Sequence, residues 1–215
     1  MKKEILLVGG GGHCKVILDM IFTSKDYKVA GIIDLAKHFG DNIFGVTVIG
    51  SDTDLPRFFK SGIKYCFISV GSIGNPTLRV KLYKLARQLG YKLPNLISPN
   101  AIVSSNIYLG EGNYIAPGAI INAGARIGNG CIINTGSVIE HDCEMGDFVH
   151  ISPGSVLSGG VKIGKYSHIG LGSFIIQNTK IGENTIIGAG SVVTKNIRKG
   201  VIAYGNPCRE RKKNA

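Results

Sequence analysis

The chain has 215 residues, 44% of them hydrophobic and 18% charged, with a formal charge of +11. That length and balance suit one large or two small soluble domains, each with a real core. Aromatics at 7%, no Trp and no zinc-finger, RRM or helix-turn-helix pattern set nucleic acid aside, leaving small polyanions or a plainly solvated surface to account for the basicity.

The opening MKKEILLVGGGG has too short an apolar run for a signal peptide or a membrane span, so a cytoplasmic protein without membrane insertion is expected. Five cysteines (Cys14, Cys66, Cys131, Cys143, Cys208) are odd in number and lack metal-ligand spacing. From residue 5, ILLVGG reads as a buried strand ending in a glycine turn, and residues 13–22 read as the helix that follows. Residues 27–34 form a second strand ending on Asp34; residues 64–71 form a third, leading into a helix over 76–89. Strands alternating with helices imply a small parallel sheet. The glycine turn lacks the dinucleotide fingerprint, because the third glycine position falls on Cys14 or Lys15. A glycine turn into a helix can still cradle phosphate, and Asp34 is placed for a ribose hydroxyl. Arg79 reads either as a helix-surface salt bridge or as a ligand contact.

The second half repeats with a period of six. From Val103 to Val193, sixteen successive positions six apart are all aliphatic, with no insertion. Two places before each of them the residue is usually small, as at Ala119, Ser137, Ser155, Ser173 and Ser191. A hexad is a short strand plus a corner, so three hexads make an eighteen-residue coil, and sixteen make about five stacked coils of a parallel β-helix. The domains are expected at residues 1–97 and 98–215.

Coil arithmetic singles out His141, which lies two places past a ladder residue and therefore points outward. Gly159 is eighteen residues later, one coil above it. An imidazole beside a glycine N–H offers a general base and part of an oxyanion hole. Asp142 or Asn134 could orient the ring or bind substrate. His150 and His168 are also eighteen apart and stack on a neighbouring edge, while Cys143 occupies a packing position at a corner.

The segments GGGGHCKV, VGSIGN, INTGSVIEHDC and YGNPCRE together resemble the hexapeptide-repeat sugar O/N-acetyltransferase family of PglD and NeuD type. The resemblance covers nearly the whole chain. It implies an α/β N-terminal domain with a small parallel sheet, followed by a left-handed parallel β-helix. It implies a homotrimer whose coenzyme, acetyl-CoA, lies between neighbouring β-helices. Matched positions make His141 the base, Asp142 its support and Gly159 the oxyanion donor, with Asn134 and Glu140 near the acceptor. The family pattern has Glu where this chain has Asp142. His150 matches a substrate or coenzyme contact, and Leu171 and Ala189 match pantetheine contacts. Lys195 belongs to a terminal basic cluster with Arg198, Lys199 and Arg209, near the coenzyme phosphates. In the N-terminal domain the resemblance places a nucleotide against Gly10, Gly11, Gly12, His13, Asp34, Gly71, Ser72 and Asn75. Relatives often have a second acidic residue where this chain has Leu35, and Gly where it has Cys14.

The implied activity is acetyl-CoA-dependent N-acetylation of a nucleotide-linked amino sugar, a UDP- or dTDP-4-amino-4,6-dideoxyhexose, for surface glycan or glycoprotein synthesis, with no metal or nicotinamide. Two alternatives stand beside it: O-acetylation of sialic-acid-like sugars, and a non-catalytic trimeric β-helix that only binds ligands.

Overall fold

The structure is a computed structural model and describes residues 2–214. It divides into two compact units, one comprising the chain up to Ser72 with Pro76–Pro94, the other Ile73–Asn75 with Asn95 onward.

The first unit is a five-stranded sheet with helices. In chain order it contains β1 (Lys3–Val8), α1 (Gly12–Thr23), β2 (Tyr27–Ile33), β3 (Asn42–Ile43), β4 (Val46–Gly50), α2 (Leu55–Lys60), β5 (Tyr65–Ile68) and α3 (Thr77–Gln88). The strand order is β3-β4-β2-β1-β5, with β1, β2, β4 and β5 parallel and β3 antiparallel to β4. Ile5, Leu6, Leu7 and Val8 are all buried, as a parallel strand covered on both faces requires. Helix α1 buries Cys14, Ile17, Leu18 and Ile21, spaced at three and four along one stripe. The β3–β4 hairpin has no counterpart in the sequence reading. Its two-residue turn, Phe44–Gly45, has φ of 49° and 82°, the left-handed pair that a tight hairpin needs. Arg79 is a correction to the helix-surface reading: with Leu82 and Ala86 it forms the buried stripe of α3, and it is only 1% exposed.

The second unit is the β-helix. Two-residue strands stack in parallel at a spacing of eighteen, as in Ile120↔Val138 and Val138↔Val156. They build three faces. Inward residues from Ile115 to Val193 form one continuous apolar core, while Val103 and Leu109 at the open first coil are only partly buried. The small corner residues do more than fit. Ser155 Oγ donates to Gly170 O (2.9 Å) and Ser167 Oγ to Gly182 O (2.9 Å), so the hydroxyls link one coil to the next.

Outward residues give the faces three different chemistries. One carries Tyr108, Arg126, Glu144, Lys162 and Lys180, a charged row in which Lys162 Nζ lies 2.7 Å from Glu144 Oε1. The second carries Ile102, Ile120, Val138, Val156, Phe174 and Val192, and is wholly apolar. The third carries Tyr114, Ile132, His150, His168 and Ile186, of which the first three are buried. An antiparallel hairpin, Val201–Tyr204 with Arg209–Lys213, extends this third face beyond the last hexad, which the six-residue period alone does not announce. Among the described residues, no helix is long and apolar enough to cross a membrane.

The continuous core predicts a large cost for a single truncation. Ile169→Ala removes a fully buried side chain from mid-stack and should cost about 2–5 kcal/mol, read by urea unfolding at fixed protein concentration.

Candidate functional site

His141 stands on the corner between the apolar and charged faces. Its side chain is 59% exposed, and its Nδ1 lies 2.9 Å from Asp142 Oδ2. With Nδ1–H donated to the carboxylate, Nε2 carries the free lone pair. Asp142 adopts φ of 58°, which turns its carboxylate back toward the ring, and its N–H is held by Ala123 O at 3.1 Å. The coil below makes room for it, since a Cβ on Gly124 would lie 2.3 Å from Asp142 Oδ1. Of the two residues the sequence offered as orienting the ring, the structure uses Asp142.

Gly159 provides the opposite wall. A Cβ there would lie 2.5 Å from His141 Nε2, so the missing side chain is what lets the imidazole lie across the corner. The N–H groups of Ser158 and Gly160 are engaged by Ile175 O (3.0 Å) and His141 O (2.9 Å), while that of Gly159 has no backbone acceptor among the described residues. The corner leaves this donor open at Ala123, His141 and Gln177 too; at Gly159 an imidazole stands beside it.

Asn134 is drawn elsewhere. It lies on the corner between the histidine-bearing and apolar faces, with its Nδ2 3.4 Å from His150 Nε2 and its Oδ1 accepting Thr135 N–H at 2.9 Å. His150 is 6% exposed and meets His168 edge-on, with ring centroids 4.8 Å apart. Glu140 accepts a hydrogen bond from Asn122 Nδ2 at 2.9 Å, one coil earlier. Leu171 and Ala189 are exposed, eighteen apart, on the corner that begins at Asn134 but in the neighbouring column of Thr135 and Pro153, and Lys195 is exposed near the end of the stack. Cys143 is buried beneath His141, with Sγ 3.3 Å from Ser158 O, and burial pushes its thiol up to about 11. A thiol held protonated in the core is packing.

In the first unit, Asp34 has a role that sequence reasoning missed. Its Oδ2 accepts Gly10 N–H and its Oδ1 accepts Leu35 N–H, both at 2.7 Å. The carboxylate therefore pins the glycine turn, and a Cβ on Gly10 would lie 2.6 Å from Oδ2. Gly11 and Gly12 face open space, and Gly71 lies against His13, whose Cβ is 3.7 Å from the Cβ position of residue 71. Ser72 is buried at the end of the loop after β5. Asn75 is exposed and falls in the second unit.

With this geometry in hand, comparison with known proteins decides the family. Residues 4–86 match the PglD N-terminal domain, and residues 124–159 and 160–195 match the six-repeat bacterial transferase hexapeptide. A variant of perosamine N-acetyltransferase from Caulobacter crescentus, solved with CoA and GDP-perosamine, is 38% identical, with 98% of this chain and 97% of that one covered and a TM-score of 0.92. The chain belongs to the hexapeptide-repeat sugar acetyltransferases. Its β-helix is left-handed, as in that structure. The acetyltransferase domain of PglB from Neisseria gonorrhoeae is also similar, 33% identical over 98% of this chain and 100% of that one, with a TM-score of 0.89. So is WeeI from Acinetobacter baumannii, at 27% identity over 98% and 100% of the two chains and a TM-score of 0.85. A curated relative, an uncharacterized protein of Acanthamoeba polyphaga mimivirus, is 32% identical over 110 residues; these are 51% of this chain and only 20% of that protein's length.

Two outcomes follow for this sugar acetyltransferase. Gly159 does not have the left-handed φ that only glycine tolerates, so Gly159→Ala should fold normally while displacing His141 and lowering turnover at least about tenfold, read as thiol release from acetyl-CoA. All five cysteines are buried, and the Cys14 and Cys143 thiols are both pushed up to about 11 by burial. The native protein should therefore resist a thiol-specific disulfide reagent at pH 8 and expose all five groups on unfolding in guanidinium.

Proposed function

We propose that this protein is an acetyl-CoA-dependent N-acetyltransferase acting on a nucleotide-linked amino sugar. The observation that carries the reading is His141 Nε2, freed by the Nδ1–Asp142 hydrogen bond of 2.9 Å and lying where a side chain of residue 159 would start, next to a glycine whose N–H has no backbone acceptor among the described residues. In the proposed reaction the amine nitrogen of the sugar attacks the thioester carbonyl as His141 Nε2 takes the amine proton. The Gly159 N–H donates to the oxyanion. The C–S bond then breaks, and the thiolate leaves with the proton that His141 returns. Asp142 holds the tautomer and steadies the imidazolium. Both members of the pair are well exposed, so its value lies in orientation and not in fold stability.

Asn134, Glu140 and His150 are proposed to border the acceptor and coenzyme, with Leu171 and Ala189 offering backbone groups to the pantetheine and Lys195 lying near its phosphates. The nucleotide is proposed to rest on Gly10, Gly11, Gly12, His13, Asp34, Gly71 and Ser72. The resemblance implies UDP or dTDP as the nucleotide of the acceptor; likeness to an enzyme solved with GDP-perosamine supports adding GDP. The cytoplasm, where acetyl-CoA and nucleotide sugars are made, is the proposed compartment.

The assembly is proposed to be a homotrimer. His141 and Gly159 flank one edge of the apolar face, and Leu171 and Ala189 flank the other, so in one protomer the two halves of the site look away from each other. Packing that face against neighbouring copies brings one edge to the opposite edge of the next. Ile102 and Phe174 on this face are 66% and 52% exposed in the single chain, a row of apolar side chains suited to such burial.

The test is acetyl-CoA turnover with GDP-, UDP- and dTDP-linked 4-amino sugars and with free and CMP-linked sialic acid. One amino sugar should turn over, and His141→Ala should lose about 100-fold or more while remaining folded. Turnover on sialic acids alone would move the enzyme to O-acetylation, and wild-type rates in His141→Ala would remove the histidine from the mechanism. Light scattering should give three times 22.9 kDa for the wild type, and a smaller species for Phe174→Asp.

A further inference from the structure

The buried guanidinium of Arg79 lies at the C-terminal end of edge strand β5, where the open α/β sheet presents its loops. Strand β5 has a neighbour on one side only. Toward β1 it is paired throughout, and Ser69 N–H continues the ladder to Val8 O at 2.8 Å. On the other side Cys66 N–H is met by Lys92 O at 3.1 Å, and beyond that point no strand among the described residues continues the pairing. The carbonyls of Ile68 and Val70 fall on this unpaired side, and Arg79 Nη1 donates to both, to Val70 O at 2.8 Å. The guanidinium also lies 5.8 Å from the Phe67 ring, so it is wedged behind the strand.

What Arg79 holds is connected to the start of the glycine turn. Val70 is pressed against the glycine turn: a Cβ on Gly9 would lie 2.5 Å from Val70 Cγ2 and 2.8 Å from Val70 N. Next to it, Ser69 Oγ donates to Gly9 O at 2.6 Å. The following residue, Gly10, is tied by its N–H to Asp34 Oδ2 at 2.7 Å, at the end of β2. The ends of β1, β2 and β5 are thus fastened to one another, and Arg79 grips the β5 end from behind. The loop that follows carries Gly71 and Ser72, and ligands of open α/β sheets bind beyond the carboxyl ends of the strands.

We propose that Arg79 is a positioning residue for the acceptor nucleotide, fixing Val70 and through it the glycine turn in the shape that receives the diphosphate. The inference rests on the reading that the N-terminal unit holds the nucleotide. Arginine suits the task because its charge strengthens hydrogen bonds to carbonyls two residues apart while its rigid plane stays wedged by Phe67. A lysine retains the charge but puts its donors on a flexible stem, without the planar group that fixes Nη1 between the two carbonyls.

The experiment uses the full-length protein with GDP, UDP and dTDP as probes in titration calorimetry, comparing wild type with Arg79→Lys and Arg79→Gln. Acceptor and acetyl-CoA kinetics run alongside. Wild type should bind one of the three nucleotides. Arg79→Lys should weaken that binding by at least about tenfold and raise the acceptor KM in step, with acetyl-CoA KM unchanged and kcat nearly so. Arg79→Gln should be weaker still, and if it does not fold, the lysine variant carries the test. Folded variants that bind the nucleotide as tightly as wild type would overturn the role of Arg79 alone. A loss spread equally over both substrates would make Arg79 purely structural and overturn it as well. Absence of binding by wild type would remove the nucleotide reading itself, and the inference with it.

Discussion

The eighteen-residue hydrogen-bond register is the constraint on which the catalytic half depends. Each coil bonds to the next through the same pattern, as in Glu140 N–H to Leu157 O (3.0 Å) and Ser158 N–H to Ile175 O (3.0 Å). A slip of one residue would throw an entire aliphatic column outward, so the core enforces the register at every level. Consequently every residue has fixed neighbours eighteen before and eighteen after, and a large side chain at one level needs space at another. Asp142 occupies the space over Gly124, His141 the space at Gly159, and Phe148 the space over Gly130. Gly124, Gly130 and Gly159 are thus partners of particular side chains, and at Gly159, where φ is not left-handed, turn geometry does not explain the glycine.

This is why so much could be read from sequence, and also where reading stops. The sixteen-step ladder encodes the β-helix because burial has the same period as the covalent chain. The pairing of His141 with Gly159 follows from subtraction. Numbering specifies a level and a corner, however, and says nothing of which rotamer a side chain adopts. Asn134 and Asp142 were therefore equivalent candidates until the φ of 58° at Asp142 turned its carboxylate to the ring and Asn134 was found against His150. Arg79 escaped for a different reason. Its spacing to Leu82 and Ala86 marks one helical stripe, but a charged residue is ordinarily assigned to the solvent side. The signal was periodicity outweighing residue type. In the stretch between Asp34 and Lys64, short elements and a two-residue hairpin leave too little pattern for periodicity to act on.

Outward residues obey no such period, so they are free to differ among the three faces. The charged face holds exposed pairs such as Glu144–Lys162 and Tyr108–Arg126, which keep it wet and contribute little to stability. The face with Tyr114, Ile132 and His150 is buried within the chain's own fold. The apolar face instead leaves Ile102 and Phe174 exposed on a run of sheet that carries no charged side chain.

That asymmetry bears on where chemistry can sit. A residue in the middle of a face faces a plane of neighbours eighteen apart and has no concave wall to work against. A corner beside an apolar face is different, because association of that face would convert two convex edges into a groove. Water would then be excluded on one side, while the other remains open to a long, charged coenzyme. Within such a groove, an open corner N–H oriented by the coils above and below it would need no reorganisation to meet negative charge developing on a substrate oxygen. The imidazole is held by a carboxylate on the adjacent residue, which requires no long-range loop to be ordered. An imidazole and an open N–H thus meet on one corner of adjacent coils, where Gly159 leaves the room for the ring and Asp142, in the left-handed φ that this corner position takes in hexad after hexad, holds it.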